Sequence, residues 1–140
     1  MNIRSIVRIF SVALIAASVL SSCRYPKHFD LQADHADSVI FDIGISKDYE
    51  RMRAVVDSFE LSGDISVLNA NRWRGVAYYR EGQYHMAEIC YRKALECEVK
   101  TKQDQLNYNK VARRLSEILL VRGDYEGSLR VAMPAVAKME

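Results

Sequence analysis

Several features that mark a catalytic or nucleic-acid-binding chain are missing from this 140-residue sequence. It has no glycine-rich loop of the phosphate-cradling kind. The three histidines, His28, His35 and His85, show no i, i+4 pairing with one another or with a cysteine, so no metal site follows and no cofactor is expected. Carboxylates are scattered along the chain without converging on a titratable partner, which argues against an enzyme. Charge of one sign is lacking too. The 20 Lys and Arg face 18 Asp and Glu, and two of the bases, Arg4 and Arg8, fall within the first 22 residues, which hold no acid. The remainder is balanced, and a nucleic-acid partner would want a basic face.

Cysteine pairing is also absent. Cys90 and Cys97 stand seven apart on what reads as one helix, about 10 Å along its axis. A disulfide needs Cα atoms within roughly 7 Å, so these two are read as small apolar residues packed between helices. The chain lacks a long hydrophobic run as well. Ile9 to Leu20 supplies roughly 12 apolar and small residues, short of the ~20 that span a bilayer.

That run does have a recognisable setting. Arg4 and Arg8 precede it, small residues follow, and then Cys23. Residues 1–22 read as a bacterial secretory signal. Leu20-Ser21-Ser22-Cys23 resembles a lipobox, which implies lipidation at Cys23 and a mature chain held in the bacterial cell envelope by its acyl groups. Each buried methylene would contribute roughly 0.8 kcal/mol to that anchor. Arg24 stands where an inner-membrane retention Asp would, so the outer membrane is favoured. The alternative is an uncleaved signal anchor with Cys23 as a boundary residue. Residues 23–32 carry Pro26 and no periodic pattern, and are read as a tether.

The rest is organised around 71–94, NRWRGVAYYREGQYHMAEICYRKA. Gly75, Tyr78, Gly82, Tyr84, Ala87, Tyr91 and Ala94 form a helical stripe broken once at Gly82-Gln83. Small Gly75 and Ala87 let two helices approach, Tyr78, Tyr84 and Tyr91 fill the space around the crossing, and Gly82 supplies the stop. This pattern resembles a tetratricopeptide repeat, with Asn71 and Arg74 in place of the usual early Trp and Leu. The resemblance implies an all-α fold, a short solenoid of about three antiparallel helical hairpins that binds a protein or peptide.

The expected repeat domain covers 33–140. Its first hairpin, about 33–62, rests on Ala36, Val39, Ile40 and Ile43, an interruption at Gly44, and then Met52, Val55, Val56 and Phe59. The second runs over about 65–99, with Ser66 or Asp64 as cap and Glu88–Arg92 and Glu96–Lys100 as i, i+4 pairs. Residues 98–107 are a polar insertion that either lengthens a helix or forms a loop. The third, about 108–140, repeats Gly82-Gln83-Tyr84 as Gly123-Asp124-Tyr125, an offset of 41 against the usual period of about 34. Pro134 should kink or end the last helix. No polar capping helix follows, which leaves apolar surface for a partner, for self-association through the last hairpin, or for further chain.

By motif position, the resemblance places a partner-binding groove on the first helix of each hairpin. Its candidates are Asn69, Arg72, Trp73, Val76, Tyr79 and Arg80, with Lys110, Arg113 and Glu117. Arginines beside aromatics suit an acidic or extended peptide. Val76 stands where the family's carboxylate clamp needs Asn, so that binding mode is not implied. The resulting expectation is a lipid-anchored binding module facing periplasm or cell surface. The alternative is the extracytoplasmic sensor segment of a larger receptor, such as a histidine kinase or transcription regulator.

Overall fold

The computed structural model describes residues 31–137, with side chains from 34 to 136. The signal-type segment 1–22, the lipidation candidate Cys23 and the tether up to residue 30 lie outside the described residues. The chain divides at this point into Met1–Leu31 and Gln32–Glu140.

Six helices and no strand make up the described residues: α1 (Leu31–Ile45), α2 (Tyr49–Ser62), α3 (Val67–Arg80), α4 (Tyr84–Glu96), α5 (Lys102–Val121) and α6 (Tyr125–Ala137). None is long and apolar enough to cross a membrane. The architecture is an all-α stack of helical hairpins. α3 packs on α4 and α5 on α6, while α2 against α3, α4 against α5 and α3 against α5 join neighbours.

Two apolar clusters hold the stack. Ala36 and Ile40 of α1 meet Met52 and Val56 of α2 and Trp73 and Ala77 of α3. Ala87, Tyr91 and Ala94 of α4 meet Val111, Leu115 and Leu119 of α5. In each, residues three and four apart put a stripe on the helix face that meets its neighbour.

The turns repeat chemically. Gly82 and Gly123 both lie in the left-handed region, at φ 79° and 85°, where a side chain is disfavoured. Around Gly82, the Gln83 N–H donates to Tyr78 O at 2.9 Å; around Gly123, the Asp124 N–H donates to Leu119 O at 2.9 Å. Both are the six-to-one closure of a helix end that uses a left-handed residue.

Two local expectations change and one open alternative is decided. Gly44 does not interrupt α1, which runs on to Ile45. It is buried, and a Cβ there would sit 3.3 Å from Met52 Sδ, so it gives α2 room rather than ending a helix. The polar insertion lengthens α5 to 20 residues, against 14 in α3. Thr101 and Asp104 form a reciprocal capping box at its start. The Ser66 hydroxyl, which caps α3 by accepting from the Asn69 N–H, donates to Asp104 Oδ1 at 2.9 Å and ties the two helix starts together. Finally, α4 stops at Glu96, so Lys100 is not one turn further along it and pairs with Glu98 at 3.6 Å. Pro134 lies within α6, which continues to Ala137.

Glu88 is the ionic hinge between α4 and α5. It accepts from Arg92 Nη2 at 2.8 Å, the anticipated i, i+4 pair, and from Arg122 Nη1 at 2.7 Å, which arrives from the end of α5. Burial pushes its carboxyl up, but hydrogen bonds from both guanidiniums outweigh that and hold it below the ordinary range. A group depressed in the folded state stabilises above its unfolded value, about 4.3, and loses that contribution as pH falls. Glu88→Gln should therefore lower stability at neutral pH, and urea titrations should show the gap to the parent closing below about pH 4.

Candidate partner-binding groove

The first helices of the first two hairpins, α1 and α3, come together through a polar cluster. Asp37 of α1 accepts from Trp73 Nε1 at 2.6 Å and from Asn69 Nδ2 at 2.8 Å, and lies 3.5 Å from Arg72 Nη2. Arg72 Nε donates to Asn69 Oδ1 at 2.8 Å, and its guanidinium stacks 3.9 Å from the Trp73 ring centroid. Asn69, Arg72 and Trp73 are therefore interior residues, 4%, 7% and 7% exposed. Three of the nine groove candidates form a floor whose side chains are committed to α1. A charged guanidinium tolerates this place because Asp37 supplies the opposite charge and the indole supplies a face. Burial lowers the Arg72 pKa, partly opposed by the Asp37 carboxylate.

Lys110 lies beside this floor on the exposed side of α5. Burial of its stem and the Arg72 charge hold its ammonium below the ordinary lysine range, with Asp37 opposing. Arg113, one turn on, is exposed and takes part in no ion pair among the described residues. The remaining candidates make contacts within the fold. Val76 packs against the first cluster, and exposed Arg80 donates from Nη1 to Gly44 O at 3.2 Å, clipping the end of α1. Glu117 is held by Arg114 Nη1 at 2.8 Å.

Arg114 is the residue that sequence reasoning missed. Its guanidinium sits 5.3 Å from the Tyr79 ring, which also makes a T-shaped contact with Tyr84. The signal was present: Lys110, Arg114 and Glu117 follow i, i+4, i+7 and share one face of α5. Arg113, at i+3, lies at the edge of the same face.

Tyr79 and Glu117 also border a cavity of about 410 Å³. Its other walls are Tyr84, His85 and Glu88 of α4 with Ile118, Val121 and Arg122 of the α5 end. The size is that of a side-chain or small-ligand recess. Its two carboxylates are already engaged, Glu88 by Arg92 and Arg122 and Glu117 by Arg114.

Tyr91 of α4 packs directly against Gly75 of α3. A Cβ at Gly75 would be 2.3 Å from Tyr91 Cε1. The ring is 1% exposed, and its hydroxyl has no hydrogen-bond partner among the described residues. Burial pushes the phenol pKa up, opposed only in part by Arg114 and Arg72. This close passage sets the spacing of α3 and α4, and with it the position of Tyr79.

Hairpins stacked through such first-helix and second-helix faces define a helical-hairpin repeat protein. Residues 69–98, which carry most of α3, all of α4 and the Gly82 turn, match the tetratricopeptide repeat family model, and this segment is a tetratricopeptide repeat. Repeats of this kind are protein-interaction modules. No curated protein and no solved structure matches the chain.

Proposed function

We infer that the chain is a lipid-anchored binding module of a bacterial cell envelope, acylated at Cys23, that takes an acidic or extended segment of another protein along α3 and α5. One observation carries the binding part: Lys110 and Arg113 stand exposed on α5, the helix that also carries Arg114, stacked on Tyr79, and one wall of a recess sized for a side chain. Exposed cations next to half-buried aromatics are the composition that anchors interfaces. The anchor rests on the lipobox-like Leu20-Ser21-Ser22-Cys23 and the charged, apolar segment before it.

The experiment is in-cell cross-linking in the native host, with labelled palmitate supplied. The parent should incorporate palmitate and give a discrete cross-linked product. Lys110→Glu with Arg113→Glu should remove that product, about tenfold or more, while palmitate incorporation and the helical circular-dichroism spectrum stay unchanged, because neither side chain belongs to the apolar clusters. Retention of the same product by the double variant would sink the groove reading. Failure of the parent to incorporate palmitate, or incorporation undiminished by Cys23→Ser, would sink the anchor reading.

A further inference from the structure

Helix α6 carries an apolar stripe that nothing among the described residues covers. Tyr125, Leu129, Met133 and Val136 recur at intervals of four, four and three, and each is between 63% and 66% exposed. The opposite face of α6, with Ser128 and Ala135, is buried against the stack. Glu126 and Arg130 are exposed along one edge of the stripe, and neither belongs to an ion pair among the described residues.

We propose that this stripe is the contact surface for a second copy of the same chain, with the two α6 helices antiparallel about a two-fold axis level with Ser128. The argument is self-complementarity. A two-fold axis that reverses helix direction keeps each edge of the stripe facing the same edge of its copy. Set level with Ser128, it is equidistant from Glu126 and Arg130. Each Glu126 then faces the second copy's Arg130, twice over by symmetry. The same register drops Tyr125 between the second copy's Leu129 and Met133, and Leu129 between the second copy's Tyr125 and Leu129. Charge pairing and interdigitation thus select one register, which an arbitrary apolar stripe does not do. One helix pair buries less than a standard interface, so the association is weak. The surface is separate from the groove on α3 and α5, and the proposal does not depend on that reading.

The test is sedimentation equilibrium of the full chain in a density-matched non-ionic detergent, from low micromolar to a few hundred micromolar. A monomer–dimer equilibrium is expected, and Leu129→Glu should leave a monomer throughout. The thermal midpoint of that variant, measured dilute, should equal the parent's, since Leu129 is exposed in the single chain. Glu126→Arg alone, or Arg130→Glu alone, should weaken the dimer about tenfold, and the two together should restore it to within about threefold. A parent that stays monomeric overturns the proposal. So does a dimer that Leu129→Glu leaves intact, or a double charge exchange that fails to restore association.

Discussion

Replacing Gly75 by alanine is expected to destabilise the protein by about 2 kcal/mol, although alanine is the better helix former. Two effects oppose one another. In a helix interior, Gly→Ala gains about 1 kcal/mol of backbone propensity. Against that, the new Cβ would lie 2.3 Å from Tyr91 Cε1 and 2.5 Å from Cδ1, far inside contact distance. The obstacle is a ring 1% exposed among Ala87, Ala94, Leu115 and Leu119, so it has no free volume to swing into. Overpacking a filled site costs about 1–3 kcal/mol and more when the obstructing group is rigid. The steric term should win. For a domain of this size a loss of 2 kcal/mol lowers the thermal midpoint by roughly 10 °C. The companion substitutions identify the cause. Tyr91→Phe removes a hydroxyl that has no hydrogen-bond partner among the described residues, so alone it should be neutral or slightly stabilising, and combined with Gly75→Ala it should rescue nothing. Tyr91→Leu removes the ring and should make Gly75→Ala nearly free of cost. A double-mutant cycle with no coupling between positions 75 and 91 would refute the close-passage account.

Asp37→Ala should cost more, about 3 kcal/mol, and it should do so through α3 rather than α1. The carboxylate is the counter-charge for Arg72, whose side chain is 9% exposed, and it accepts from Trp73 and Asn69. Removing one partner of a buried pair leaves the other charge desolvated, at about 3–5 kcal/mol when burial is complete. The Asp37 side chain retains 26% of its exposure, so water recovers part of that loss and the lower end applies. Asp37→Asn keeps an acceptor for the indole and loses only the charge, and about half the cost is expected. The diagnostic readout is Trp73, the sole tryptophan. Loss of the Nε1 hydrogen bond should shift its emission in the Ala variant before global unfolding begins. If Asp37→Ala and Arg72→Met together are as destabilised as Asp37→Ala alone, the unpaired charge is not the cause.

These two sites mark the division between what a linear reading reaches and what it does not. Ser66 as a helix cap and the turns at Gly82 and Gly123 are local: a hydroxyl reaches an N–H three residues on, and a left-handed turn needs a residue without Cβ. The hairpin of α3 and α4 is legible for the same reason, since its stripe of small and aromatic residues records which face meets the next helix. Arg122 meeting Glu88 is different. The two are 34 positions apart, and their pairing depends on how far α5 extends before Gly123 turns the chain. Arg72 is harder still. By composition a charged residue belongs in solvent, and only the arrival of Asp37 from another helix lets it lie buried.

The sequence by itself determined the class of structure: helical hairpins, small residues where the helices of the tetratricopeptide repeat cross, and glycine at the turns. Those features depend on periodicity and backbone stereochemistry within a few residues, which any reader of the chain has in hand. Tertiary structure alone decided which cations are available to a partner. It consumed Arg72 in the floor, set Arg114 on Tyr79, tied Arg80 to the end of α1 and left Lys110 and Arg113 exposed. The physical reason is that a charge is buried or solvated according to what faces it, and what faces it comes from a different helix.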